Sequence, residues 1–106
     1  MIIDNMSRMY RGWLIGDFEP SILKTKDFEV GMLKHKKGEI WPRHFHKEAI
    51  EYNCLIEGKM IVQDIMIEPG TIFIFEKNEV ADPIFLEDCT VLVVKTPSII
   101  GDKYEI

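Results

Sequence analysis

Hydrophobic and polar positions alternate along this chain in short runs rather than in long helical periods. Segments rich in Val, Ile, Phe, Tyr and Thr are cut by Gly and Pro at regular intervals, from Gly12 to Gly101. Short strands joined by turns produce this pattern. It predicts strands over 12–17, 28–35, 40–46, 51–56, 59–63, 71–76, 84–85 and 90–95. Residues 6–14 have room for one or two helical turns and 47–50 for a single turn. Neither segment shows sustained 3.6-residue periodicity with caps. The expected fold class is therefore all-β, as a sandwich or a barrel.

The faces of these strands differ. In 28–32 the apolar residues fall on one side, as a barrel wall requires. In Ile72-Phe73-Ile74-Phe75 and Val91-Leu92-Val93-Val94 both sides are apolar. A second apolar face needs a cover. Two covers remain open at this point, the N-terminal segment of the same chain or a second copy in a homodimer.

Composition narrows the class. With 106 residues the chain is expected to form one domain, 1–106, large enough to bury a core. Thirteen basic against eighteen acidic residues leave a net charge of −5, which argues against nucleic-acid binding by phosphate neutralisation. No apolar run approaches the roughly 20 residues of a membrane-spanning helix. The first residues lack the charged and apolar regions of a secretory signal. Cys54 and Cys89 form no Cys-x-x-Cys and no disulfide scaffold. Free thiols in the cytoplasm are the expected state.

The chemistry concentrates between Gly38 and Gly58. His44 and His46 stand two apart, so on a strand both imidazoles point to one face. Glu51 follows His46 after four residues, enough for a turn and a return strand. Two histidines and one carboxylate on one side of an ion make a facial triad with open positions for a ligand. Asn53 shares the face of Glu51. By itself a His-x-His pair is weak, because neighbouring histidines are more often exposed or structural.

The spacing carries more weight. Gly38, five residues, His44, one, His46, four, Glu51, six and Gly58 match the first motif of the cupins at every fixed position. The whole chain resembles a small single-domain cupin, and the resemblance implies a double-stranded β-helix, the jelly-roll barrel of that superfamily. It also implies a divalent transition metal (Fe, Mn, Zn or Ni) on His44, His46 and Glu51. The second cupin motif places a Pro-x-Gly turn before a strand and ends in a histidine, the fourth ligand. Here Pro69-Gly70 and Ile72-Phe73-Ile74-Phe75 look like that turn and strand, but the histidine, due near Ala81, is missing. Three ligands then suffice, or Asp82 or Glu79 substitutes, or the site is empty. Asp82 also reads as the opener of an Asp-Pro turn, and Glu79 as a loop carboxylate.

The remaining candidates are read more plainly. His35 lies in a basic cluster, Lys34 to Lys37, expected to be a solvated loop. Arg43 and Tyr52 alternate away from the cavity. Cys54 points outward and Cys89 sits in an expected turn, with no base to activate either thiol. Trp13, Trp41, Phe45, Phe73 and Phe85 are core residues first, with Trp41 the candidate to line a ligand pocket beside Asn53. Tyr104 is expected to pack a terminal arm. No phosphate-binding glycine loop, dinucleotide fingerprint or Gly-x-Ser-x-Gly elbow is present.

Two functional readings follow. One is a metal-dependent enzyme acting on a small polar metabolite, with sugars and small acids implied by the resemblance. The other is a non-catalytic ligand-binding or interaction module, which the missing histidine favours. Fold alone does not choose between them.

Overall fold

The computed structural model describes residues 1–106. Eleven strands form: β1 (Trp13–Gly16), β2 (Leu23–Lys24), β3 (Glu29–His35), β4 (His44–Phe45), β5 (Ile50–Glu57), β6 (Met60–Val62), β7 (Ile65–Ile67), β8 (Ile72–Phe75), β9 (Ile84–Phe85), β10 (Cys89–Thr96) and β11 (Tyr104–Glu105). The large sheet runs β2-β1-β3-β10-β5-β8 and faces a small sheet β7-β6-β9. A two-stranded pair, β11-β4, closes one side, and His44 on β4 also bridges to Ala81. The fold class is all-β, a jelly-roll barrel in which the inner faces of the sheets share one core.

That core is Leu55, Met60, Val62, Ile67, Phe75, Ala81, Phe85, Cys89, Val91 and Val93. On β10 the buried positions are Cys89, Val91 and Val93, alternating with less buried Thr90, Leu92 and Val94. Strand alternation thus separates the two apolar faces that the sequence carries. The outer one stays open: Ile72 is 70% and Ile74 48% exposed, beside exposed Tyr52 and Ile56. The N-terminal segment does not cover it, and Met1, Ile2 and Ile3 are themselves exposed.

Several expected elements change. The strand expected over 40–46 shrinks to His44–Phe45, because Pro42 has no N–H to give to a ladder. Three short strands were not legible. β7 follows β6 through Gln63 and Asp64, both at positive φ, a two-residue hairpin built without glycine. β2 and β11 are two-residue strands with no pattern of their own. Of the expected helical turns, only a 3₁₀ turn over Met6–Arg8 forms, capped by Asn5, whose side chain accepts the Ser7 N–H at 2.9 Å. Residues 47–50 form no turn, because Lys47, Glu48 and Ala49 direct their N–H groups to Asp102. Cys89 does not lie in a turn but opens β10, buried.

One motif glycine has a packing reason. Gly58 has φ +98°, and a Cβ there would lie 2.3 Å from the Asp88 carbonyl oxygen. Only glycine fits where β5 turns toward β6. No helix of this chain is long and apolar enough to cross a membrane.

Candidate metal centre and its cavity

The barrel holds an open cavity of about 1110 Å³. His44, His46, Glu51 and Asn53 all line it, with Trp41 at its side. The geometry follows from strand order. β4 carries His44, and His46 follows just beyond its end; the chain then returns as β5, which brings Glu51 and Asn53 inward on alternate positions. His44, His46 and Asn53 are buried, and the Glu51 side chain is 12% exposed.

The two imidazoles are 5.3 Å apart between ring centroids. Each is oriented by a backbone carbonyl. His44 Nδ1 meets the Pro42 carbonyl at 3.0 Å, and His46 Nδ1 meets the carbonyl of Asp102. A carbonyl only accepts, so Nδ1 carries a proton in both rings and Nε2 is the atom turned toward the cavity. His46 Nε2 is buried and has no hydrogen-bond partner. Burial pushes the His44 imidazole below its usual 6.5, and Lys103 acts in the same direction against the Pro42 hydrogen bond. His44 is therefore neutral at pH 7.

Glu51 is shared among its neighbours. Its Oε1 lies 3.8 Å from His46 Nε2 and 3.9 Å from Lys95 Nζ. Its Oε2 accepts from Asn53 Nδ2 at 3.3 Å. As the side chains lie, no three His, Cys, Asp or Glu groups converge on a single ion position. The donor set nevertheless suits a divalent transition metal: two imidazoles held by their Nδ1 sides, one with a buried Nε2 that lacks a hydrogen-bond partner, beside one carboxylate.

The C-terminal segment completes this side of the cavity. Asp102 Oδ1 and Oδ2 accept the N–H groups of Lys47, Glu48 and Ala49 at 2.9–3.3 Å. Burial would raise the Asp102 carboxyl, but these three N–H groups outweigh it and hold it below its usual 3.8. Tyr104 stacks on Phe45, with ring centroids 5.5 Å apart. Lys103 reaches the cavity mouth and sets its ammonium 4.5 Å above the Trp41 ring. Burial, then Lys95, lower that ammonium below its usual 10.5.

No protein-family model and no curated protein matches the sequence. Solved structures do. A double-stranded β-helix protein of Klebsiella pneumoniae superposes with a TM-score of 0.69 at 20% identity, over 79% of this chain and 74% of that one. A cupin-2 domain protein of Shewanella frigidimarina gives 0.56 at 19% identity, over 71% and 76%. This chain has the cupin fold. A bacterial pirin of Escherichia coli, solved in complex with nickel(II), shares that cupin fold at TM-score 0.65 and 15% identity, over 83% of this chain and 39% of that one. Enzymes named as a lyase and a decarboxylase also share it.

Against the cupin motifs, the position that lacks its histidine is informative. Ala81 is buried, lines the cavity and pairs with His44 through reciprocal backbone hydrogen bonds of 2.8 and 3.2 Å. The position where the resemblance expects a fourth ligand thus lines the cavity and holds a methyl group. Neither expected substitute fills it. Asp82 does not line the cavity, and its Oδ1 accepts the Gln63 N–H at 3.0 Å. Glu79 accepts from Glu76 N and Gln63 Nε2. No Asp-Pro turn forms at 82–83; Asp82 instead holds Gln63 of the β6–β7 hairpin and is not directed at the site.

His35 departs from the expected solvated loop. It ends β3 with its side chain only 10% exposed, 2.6 Å from Glu39 and stacked on Phe85 at 4.3 Å. Its basic neighbours hid the alternation that turns the ring inward. Sequence reasoning also missed Lys95, Lys103 and Asp102. Lys95 alternates with Val91 and Val93 and was legible as inward-facing; the other two lie in a segment without periodicity.

Proposed function

We propose that this small cupin-fold protein binds a divalent transition metal (Fe, Mn, Zn or Ni) through His44, His46 and Glu51. In this reading it acts on a small polar metabolite, a sugar or small acid, inside the cavity. The observation that carries the reading is the buried, partnerless His46 Nε2, held toward the site by the Asp102 carbonyl. Imidazole nitrogen is the commonest side-chain ligand of a transition-metal ion. The nickel-bound pirin of the same fold supports it.

The residues divide the work. His44 and His46 keep Nδ1–H on backbone carbonyls and offer Nε2. The ion, when bound, supplies Lewis-acid polarisation of a carbonyl or carboxylate oxygen. Asn53 orients a polar ligand through its amide, and Trp41 offers an apolar wall. Glu51 serves as ligand, or as a proton acceptor where no ion is held.

A non-catalytic binding module is the second reading. Ala81 in the fourth-ligand position favours it, as does the sharing of Glu51 with Lys95. The free thiols of Cys54 and Cys89 fit a cytoplasmic, reducing environment. The open face on β5, β8 and β10 supports a homodimer. It bears no charged side chain at Tyr52, Cys54, Ile72, Ile74, Leu92 or Val94, so two chains of net charge −5 can meet there without opposed carboxylates.

Metal content by plasma mass spectrometry, on untagged protein beside a His44→Ala/His46→Ala variant, tests the first reading. Near one equivalent in the parent and none in the variant is expected. No metal in the parent after reloading with Fe²⁺, Mn²⁺, Ni²⁺ and Zn²⁺ overturns it in favour of the binding module.

A further inference from the structure

Lys95 stands in direct register between two carboxylates. On β10 it faces Glu29 of β3 on one side and Glu51 of β5 on the other, so one row across three strands reads Glu29–Lys95–Glu51. All three side chains are nearly buried, at 14%, 17% and 12% exposure. The ammonium lies 3.4 Å from Glu29 Oε1, 3.9 Å from Glu51 Oε1 and 5.0 Å from the centre of the Trp13 ring.

The row is unequal. Glu29 is fixed from behind: its Oε2 accepts the Ser98 hydroxyl at 2.8 Å, and Ser98 Oγ in turn accepts the Asp17 N–H at 2.9 Å. Glu51 has no such anchor beyond the Asn53 amide. One ammonium serves two carboxylates, so the trio carries one net negative charge on the cavity wall, where Lys103 also acts on Glu51. The Oε1 that Lys95 leaves at 3.9 Å is the oxygen that faces His46 Nε2 at 3.8 Å. A buried, half-compensated carboxylate next to an orphaned imidazole nitrogen draws a second cation.

We infer that Lys95 is the resident counter-cation of this centre and sets its affinity for a divalent metal, yielding Glu51 to the ion while Glu29 retains the ammonium. The inference rests on the proposed His44–His46–Glu51 site. Lys95 is a positioning residue here, acting through Glu51. With Lys95 present, an entering ion meets a repelling ammonium and a carboxylate already engaged. With Lys95 gone, Glu51 is free and the repulsion is removed. Glu29 acts in the opposite sense, because without it Lys95 has only Glu51 to pair with.

The test is calorimetric titration of the EDTA-stripped full chain with Ni²⁺. Lys95→Met is expected to tighten Kd by about tenfold or more, and Lys95→Arg to leave it near the parent value. Glu29→Gln is expected to weaken Kd, and in the Lys95→Met background its effect should shrink, since Glu29 acts through Lys95. Lys95→Gln replaces Lys95→Met should the latter not fold by circular dichroism. An unchanged or weaker Kd on removing Lys95, with nickel bound by the parent, overturns the inference and leaves the metal reading intact. Binding by the Lys95 variant alone upholds the inference and overturns the metal reading for the native chain. Binding by neither overturns both.

Discussion

The backbone carbonyl of Asp102 accepts the Nδ1–H of His46, 56 residues earlier in the chain. The same residue's carboxylate holds Lys47, Glu48 and Ala49 by their N–H groups. One residue near the C-terminus thus fixes both the tautomer of a candidate ligand and the loop that carries it.

Asp102→Ala removes the acceptor of three N–H groups, of which that of Ala49 is buried. A loss of about 2–4 kcal/mol is expected, from hydrogen bonds to a charged group at roughly 1.5–3 kcal/mol each with partial rescue by water. The pH dependence has a definite sign. The folded carboxyl lies below its usual 3.8, so the unfolded chain binds more protons there and stability rises with pH. Its contribution is complete above 3.8 and is lost as pH falls through the folded value. Urea unfolding of parent and Asp102→Asn should therefore show a gap at neutral pH that narrows on acidification below 3.8.

Ala81→His restores an imidazole to the cavity position opposite His44. Nickel should bind at least about tenfold more tightly, a gain of about 1.4 kcal/mol. Calorimetric titration checks this. Unchanged affinity would mean that the Ala81 backbone does not aim a side chain at the ion bound by His44 and His46.

The two motif glycines should respond differently to substitution. Gly58→Ala drives a Cβ into the Asp88 carbonyl oxygen at 2.3 Å and adds left-handed strain, so a loss above about 3 kcal/mol or failure to fold is expected. Gly38, at φ +76°, has open space around its missing Cβ. Gly38→Ala should cost only the conformational term, about 1–2 kcal/mol. Urea midpoints of the two variants decide it.

The exposed apolar face predicts self-association. Sedimentation velocity should find the parent as a dimer, and Ile72→Lys with Ile74→Glu should shift it to a monomer while leaving the circular-dichroism spectrum unchanged. A parent that sediments as a monomer at tens of micromolar would remove the homodimer.

Local pattern determined much of this protein. Strand alternation and Gly/Pro punctuation marked β1, β3, β5, β6, β8, β9 and β10, because a period of two and a turn residue are properties of neighbouring positions. The same alternation put His44 beside His46 and Glu51 beside Asn53, but β4 and β5 belong to different sheets, so only the tertiary structure brought the two pairs to one cavity. Tertiary structure alone decided the rest. Pairing partners made strands of Leu23–Lys24 and Tyr104–Glu105, which have too few residues to carry a pattern. The inward turn of His35 and the hold of Asp82 on the Gln63 N–H depend on what packs against them. The row Glu29–Lys95–Glu51 and the hold of Asp102 on His46 join residues far apart in sequence, and such contacts exist only once the sheets have set their register.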